Sequence, residues 1–403
     1  MQVTMKGTKL LLTLGLTFSV FATDIITDKV TVENSKNVTL SSALNLKTGA
    51  IRARKGNDIW GWTDPASNRE YVMMGLDSKT SFIDVTDPVN PIHLADLKTA
   101  TSSSQWRDVK IYKNYAFIVS EAWSHGMQIF DLHRLRSMNG ETVQRVEPDM
   151  RYRDFGNAHN IFINEETGFG YAVGTSTCDG GLHIMDLRTP LVPRFLNCVG
   201  RGVYEVPRKH GDAYTHDVQC VVYKGVDTRY VGREICVSSN EDTVNIVDVT
   251  DKSAPKQIGV ASYDGVKYTH QGWLTEDHRY FLLGDELDES RLKVNTKTFI
   301  WDFSDLENPI NFAIHTHETK AIDHNMYVKD GYVYQANYNA GLRILSLENI
   351  EEGKLSEVGF LDTMPNRDSA RFEGVWSIFP FFSSGTVAIA GIDGVLYLTR
   401  PQL

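Results

Sequence analysis

The sequence predicts an all-β protein, a seven-bladed β-propeller closed by an N-terminal strand. Three observations carry this. A short strand ending in Asp recurs along the chain, each clear copy is followed by a turn and an alternating run, and successive copies begin 44 to 62 residues apart. That interval is the size of one four-stranded blade with variable loops.

The recurring strand reads FIDVTDP at Phe82 to Pro88, IFDL from Ile129, IMDLRTP at Ile184 to Pro190, IVDVTDK at Ile246 to Lys252 and IWDFSDL at Ile300 to Leu306. Weaker copies, ILSL from Ile344 and LYLT from Leu396, bring the count to seven. The runs after it, such as DPVNPIHLADL (Asp87 to Leu97), TPLVPRFLNCV (Thr189 to Val199) and KSAPKQIGVA (Lys252 to Ala261), supply an outer fourth strand. Two strands precede it, as in HNIFINEETGFGYAVG (His159 to Gly174), a hairpin turning at Glu-Thr-Gly. The seventh unit runs out of chain just after its third strand. Its outer strand is therefore expected from the N-terminus, within Ser41 to Lys47 (SSALNLK), which closes the ring and hides both sheet edges. No helix of three turns is legible, and 17 Tyr, 18 Phe and 7 Trp suit strands.

The apolar run Leu10 to Ala22 follows Lys6 and Lys9 and ends in small residues, so residues 1–22 read as a cleaved secretory signal peptide. The run is short of the roughly 20 residues a permanent span needs. Residues 23–40 are polar and aperiodic, a flexible leader, and 41–403 form the propeller. The expected location is secreted or extracellular, with periplasm or cell surface as variants. A formal net charge of −10, more negative once Lys6 and Lys9 leave, argues against nucleic acid or an anionic membrane as partner. An extracellular protein or glycan fits better. Four cysteines lack CxxC spacing; secretion permits pairing, and Cys178 with Cys198 and Cys220 with Cys236 are the expected disulfides. Asn37-Val38-Thr39 is a glycosylation sequon.

Several stretches resemble the choice-of-anchor B family of secreted LVIVD-repeat proteins: SQWRDVKIY, AHNIFINEETGFGYAVGT, YTHDVQC, GREICVSSNEDTVNIVDVTDK, YTHQGWLTEDHRYFLLGDELDE, DHNMYVKDGYVYQANYNAGLRIL and SGTVAIAGIDG. The resemblance covers about residues 100–400 and implies an exported β-propeller. Family members often add a C-terminal surface anchor, whereas this sequence ends at Pro401-Gln402-Leu403. The family implies no established reaction, so function is argued from the site.

Aligned on their Asp strands, four successive units place a His where the innermost strand starts: His159, His216, His270 and His324. The other units have Asn57, Arg107 and Glu373 there. Such positions gather at the mouth of a propeller's channel, and converging imidazoles suit Zn, Cu or Fe. Asp108, Asp217 and Asp323, beside the ring, are candidate acceptors orienting the imidazoles. Glu373 is a candidate general base, and Arg107 a candidate clamp for an anionic substrate group. The bland alternative is that each His ties down its own blade and the four never meet. A second cluster, Asp285, Glu286, Asp288 and Glu289, with Glu121 and Asn240-Glu241-Asp242 at matching strand ends, offers hard oxygen ligands for Ca²⁺, or is a solvated loop. No P-loop, nucleophile elbow, dinucleotide fingerprint or HExxH is present. Two functions stay open: an extracellular binding or scaffold module, and a metal-dependent extracellular hydrolase or oxidoreductase acting at the channel mouth.

Overall fold

The computed structural model describes residues 34–204 and 213–403. The expected signal peptide, residues 1–22, lies outside the described residues, as does most of the expected leader. Seven antiparallel sheets follow one another around the chain, and the inner strands of successive blades contact each other, the seventh returning to the first. The fold is a seven-bladed β-propeller.

From the channel outward, blade 1 runs Gly56–Thr63, Glu70–Leu76, Lys79–Asp84 and Ile92–Lys98. Blade 2 runs Arg107–Tyr112, Tyr115–Ser120, Met127–Asp131 and Met150–Tyr152; blade 3 runs Asn160–Asn164, Phe169–Val173, Leu182–Asp186 and Arg194–Val199. Blade 4 comprises Asp217–Val222, Glu234–Ser239, Val244–Asp248 and Lys256–Ala261, and blade 5 Thr269–Leu274, Tyr280–Asp285, Lys297–Asp302 and Ile310–Thr316. Blade 6 has Met326–Lys329, Tyr332–Asn337, Gly341–Ser346 and Ser356–Leu361. Blade 7 has Val375–Phe379, Val387–Gly391, Val395–Pro401 and, as its outer strand, Val38–Asn45.

That closing strand pairs antiparallel with Val395–Pro401, and Leu44 stands opposite Leu396. It starts at Val38, and Ser35–Lys36 already pairs with Leu361 and Phe360 on the edge of blade 6. Residues 34–40, expected as leader, therefore belong to the propeller: Ser35–Lys36 gains strand pairing and Val38 is buried, which offsets the entropy of ordering this segment. Blade 1 also gains a short fifth strand, Gln144–Val146, parallel to Ile92–Lys98. The single α-helix among the described residues, Asp288–Leu292, interrupts blade 5 between its second and third strands.

Buried apolar side chains from facing sheets fill the gaps between blades, as Phe82 of blade 1 packs against Phe130 of blade 2 with ring centroids 4.6 Å apart. The recurring Asp of the third strand caps the turn that follows it: Asp84 accepts from the Thr86 N–H, Asp248 from that of Thr250 and Asp302 from that of Ser304. The repeat is thus a turn device. Both expected disulfides are present, and Cys220 and Cys236 face each other on adjacent strands.

Candidate metal centre

All seven inner strands start at the same end of the propeller, and three residue positions on each line the channel. Counting inward from the mouth, the first ring by strand position is Asn57, Arg107, His159, His216, His270, His324 and Trp376, all but Asn57 lining the pocket at the mouth. The second follows immediately: Asp58, Asp108, Asn160, Asp217, Gln271, Asn325 and Ser377. Two residues further along, by the period of a strand, come Trp60, Lys110, Phe162, Gln219, Trp273, Tyr327 and Phe379. Consecutive residues occupy the first two rings in every blade, and in blades 1, 5 and 7 the ladder also slips there, between Gly56 and Ile59, Thr269 and Gly272, and Val375 and Ser377. A β-bulge of this kind re-aims a side chain at a sheet's end.

The third ring plugs the channel. Trp60, Tyr327, Trp273 and Phe379, joined by Phe381, contact one another edge to face or tilted, with the Lys110 ammonium 4.6 Å above the Trp60 ring. The second ring ties blades together: Asn160 donates to Asp217 at 2.9 Å, Lys110 bridges Asp108 and Asp58 at 2.5 and 3.2 Å, and Gln271 accepts from the Met326 N–H at 2.8 Å.

Above these layers the four imidazoles form a consecutive stack. Ring centroids are 4.2 Å apart for His159 and His216, 4.3 Å for His216 and His270, and 4.3 Å for His270 and His324. The His216 Nδ1–H donates to the His270 carbonyl at 2.9 Å, and that of His324 to the Trp376 carbonyl at 2.5 Å. A carbonyl only accepts, so in both neutral rings the proton sits on Nδ1 and the Nε2 lone pair is free. His159 instead meets Glu121 Oε1 at 2.6 Å through Nδ1. His270 Nδ1 is buried with no partner.

One carboxylate joins the stack. Glu286, just after the second strand of blade 5, sits 3.8 Å from His270 Nε2 and 3.6 Å from His324 Nε2, and its Oε1 accepts from the Tyr338 hydroxyl at 2.7 Å. The ligand atoms of His270, His324 and Glu286 all lie within 4.8 Å of one another, a spacing one metal ion can bridge. The cavity enclosed by the ring, Trp106 and Trp376 is about 10 Å³, room for one water or one ion.

Burial dominates the electrostatics. It drives His216 and His270 well below the ordinary imidazole range, with neighbouring rings adding to the effect, and takes His324 to about 3. Burial opposes charge on His159 too, but there Glu121, Asp217 and Glu286 outweigh it and raise the group. Glu286 is pushed up by burial to about 7, although the Tyr338 hydroxyl and His159 pull the other way. His216, His270 and His324 are therefore neutral imidazoles at neutral pH beside a carboxyl poised to ionise, the states a transition metal binds, while His159 is held toward its charged form by Glu121.

Other expected site residues lie elsewhere. Glu373 is not part of the ring: Trp376 holds that position in blade 7, and Glu373 is half-exposed and paired with Arg367. Arg107 belongs to the ring but is buried, with its guanidinium reaching the Leu76 carbonyl at 3.1 Å, His125 Nε2 at 3.1 Å and Thr99 at 2.8 Å. None of the three candidate orienting aspartates meets an imidazole. Asp108 binds Lys110 and the Ile161 N–H, Asp217 binds Asn160 and the Val218 N–H, and Asp323 packs over Gly284. Backbone carbonyls orient His216 and His324 and Glu121 orients His159, while His270 Nδ1 has no partner. The expected calcium set does not converge either: Asp285 is spent on the Tyr263 hydroxyl and the Lys267 and Tyr268 N–H groups, while Asp288 turns to Lys297. Sequence reasoning placed Glu121 and Glu286 at strand ends without linking them to the His ring. The link was legible in hairpin geometry, because the end of the second strand lies beside the start of the first.

No family model matches this chain, and a search of curated proteins finds no match.

Proposed function

We propose that this protein is a secreted β-propeller binding module of the LVIVD-repeat kind, whose channel mouth holds one transition metal ion through His270, His324 and Glu286. The observation that carries the metal is the convergence of these three buried groups within 4.8 Å. Zn²⁺, Cu²⁺ and Fe²⁺ share this preference for imidazole with carboxylate. Two disulfides, and no described helix long and apolar enough to cross a membrane, support an extracellular setting.

The binding reading is favoured over an enzyme by the site's size and by the fate of the residues a reaction needs. The space at the His stack, about 10 Å³, is sized for one ion or water. Arg107 is buried and holds the Leu76 carbonyl, His125 and Thr99, and Glu373 is away from the ring. Trp106 at the rim is 45 % exposed and Trp123, on the neighbouring loop of blade 2, is 82 % exposed, which suits an aromatic contact with a protein or glycan.

Elemental analysis of the purified chain, stripped with chelator and reloaded, tests the metal. One ion per chain is expected. His270→Ala or His324→Ala should weaken retention by at least about 100-fold, since even outer partners of a metal ligand are worth 10- to 100-fold. Sub-stoichiometric metal in the wild-type chain, or equal retention in the double variant, overturns the reading.

A further inference from the structure

Where the propeller closes, at the same end as the His stack, a pocket of about 560 Å³ opens between blades 7 and 1. Three connections wall it: the one leading from the closing strand into blade 1, which supplies Lys47, Arg54 and Lys55; the one between blades 6 and 7, which supplies Thr363 to Arg367; and the turn at Ile392 and Asp393 of blade 7. Backbone hydrogen bonds lock these pieces together, the Leu46 N–H donating to the Gly394 carbonyl at 2.9 Å, that of Gly56 to Ile392 at 3.0 Å and that of Ile392 to Gly374 at 2.7 Å. Ile392 and Tyr397, both buried, give the pocket an apolar wall. Its volume falls in the range of small-molecule sites, about 300–1,000 Å³.

Four cations, Lys47, Arg54, Lys55 and Arg367, line this pocket against two acids, in a chain whose formal net charge is −10. The acids are engaged within the protein: Glu373 pairs with Arg367, and Asp393 accepts from the Val395 N–H at 3.2 Å and the Tyr397 hydroxyl at 3.4 Å. The two lysines are left unmatched. The Lys47 stem lies over Gly394, where a Cβ would come within 2.7 Å of its Cγ, and its ammonium has no partner among the described residues. The Lys55 ammonium meets the neutral amide oxygen of Gln105 at 3.0 Å. Asp77 holds Arg54 through Nε at 3.3 Å, which leaves the two terminal nitrogens of that guanidinium unpaired among the described residues. Three cationic groups thus keep donors to spare around one pocket, the arrangement that recognises a carboxylate or sulfate.

An adjoining depression of about 290 Å³ shares Arg54 and Lys55 and runs on to Ser103, Ser104 and Gln105 ahead of blade 2. Apart from Asp77, already paired with Arg54, its further lining is two hydroxyls and an amide, and the next residue along the chain, Trp106, is 45 % exposed. We infer that the two compartments together bind an acidic oligosaccharide, one bearing carboxylate or sulfate groups, whose charged unit sits among Lys47, Arg54 and Lys55 and whose next unit lies over Ser103 to Gln105. Charge selects the first unit, while serine hydroxyls and a glutamine amide, which both donate and accept, match the hydroxyl groups of the second. The inference rests on the binding-module reading and names its ligand class; it makes no use of the imidazole centre.

The test titrates the full chain by calorimetry with trigalacturonate and with a heparin-derived tetrasaccharide, one probe for each kind of acidic group, and with maltotriose and sodium sulfate as the neutral-sugar and bare-ion controls. At least one acidic probe should bind about tenfold or more tightly than both controls, and its affinity should fall as NaCl rises from about 50 to about 500 mM. Lys47→Gln with Lys55→Gln removes two unmatched ammoniums from connecting loops, so this variant should keep the parent's Tm and bind about tenfold or more weakly, while Lys47→Arg with Lys55→Arg should retain binding. His270→Ala with His324→Ala should bind as the parent does, which separates this groove from the metal centre. No binding of either acidic probe at about 1 mM, equal binding of maltotriose or sulfate, or an unchanged affinity in the Lys47→Gln, Lys55→Gln variant overturns the proposal; maltotriose bound in place of the acidic probes would leave the binding-module reading standing without it. Cleavage of a bound acidic probe, read by chromatography, would instead overturn the binding-module reading and leave the groove assigned.

Discussion

Deleting residues 34–46 tests how the ring is held shut. The segment places Ser35–Lys36 on the edge of blade 6, Val38–Asn45 on the edge of blade 7, and Ser42 Oγ on the Pro88 carbonyl of blade 1 at 2.7 Å. It therefore clasps three consecutive blades across the point where the circle closes. Its large apolar side chains, Val38, Leu44 and Leu46, are exposed by 4 %, 2 % and 0 %. At about 1.5–3 kcal/mol for each buried side chain of this kind, their removal costs roughly 5–9 kcal/mol. That is comparable with the whole stability of a typical domain, about 5–15 kcal/mol. The loss also bares the edge strand Val395–Pro401, a template for pairing with another chain. The expected result is a chain that aggregates on size-exclusion chromatography or melts far below the parent. A truncated chain that stays monomeric with an unchanged melting temperature would refute the clasp.

Replacing Cys220 and Cys236 together by Ala should lower stability by about 3 kcal/mol on the chain-entropy account of a loop this size, measured by denaturant unfolding; an unchanged midpoint would mean the two strands need no cross-link. Acid should destabilise the fold through His125 and His317, which burial holds near 3, His125 with help from the Arg107 guanidinium. Between the unfolded value of about 6.5 and the folded value of about 3 the unfolded chain binds more protons, so stability is complete above 6.5 and falls as pH drops; at pH 4.5 each contributes a loss of roughly 2–3 kcal/mol, and His125→Gln should flatten that slope. Asp217→Asn should leave metal occupancy unchanged, because Asp217 binds Asn160 and the Val218 N–H and touches no imidazole; a tenfold loss of metal retention would restore it as an orienting group.

What the sequence made legible follows from what repeats. The Asp strands recur because each closes the same turn, so blade number and order could be counted without knowing a single contact. The missing outer strand of blade 7 was an absence in that count. The His residues were legible for the same reason, since one residue type recurred at one blade position. Blade 7 broke the alignment: in RFEGVWSIF a register slip between Val375 and Ser377 moves the ring position to Trp376, and counting along the sequence chose Glu373 instead. Arg107 was placed correctly but given a free guanidinium. Its partners Thr99 and His125 come from a loop and a turn of variable length, which repeat spacing does not encode. The acidic run after Asp285 divided three ways, since Asp285 caps a loop, Glu286 faces the His stack and Glu289 turns under the helix. Adjacent carboxylates in sequence diverge in space when a turn becomes a helix.

The orientation of the imidazoles bears on how robust the proposed metal centre is. In the usual arrangement a ligating His is steered by a carboxylate on its other nitrogen, and losing that carboxylate loosens the metal. Here His216 and His324 are steered by main-chain carbonyls at the same ring position of the following blade, those of His270 and Trp376. A carbonyl survives any side-chain substitution at its residue, so the orientation of these two rings follows from the backbone of the next blade. What side chains add is charge: Glu286 supplies the carboxylate and Tyr338 fixes it, while Glu121 keeps its own pairing with His159 at the far end of the stack. Replacing Tyr338 would free Glu286 while leaving every imidazole in place, whereas opening the ring at the N-terminal clasp would release the carbonyls themselves. The metal centre and the closure of the propeller are on this account one structural problem, and the truncation that breaks the clasp should also empty the channel mouth.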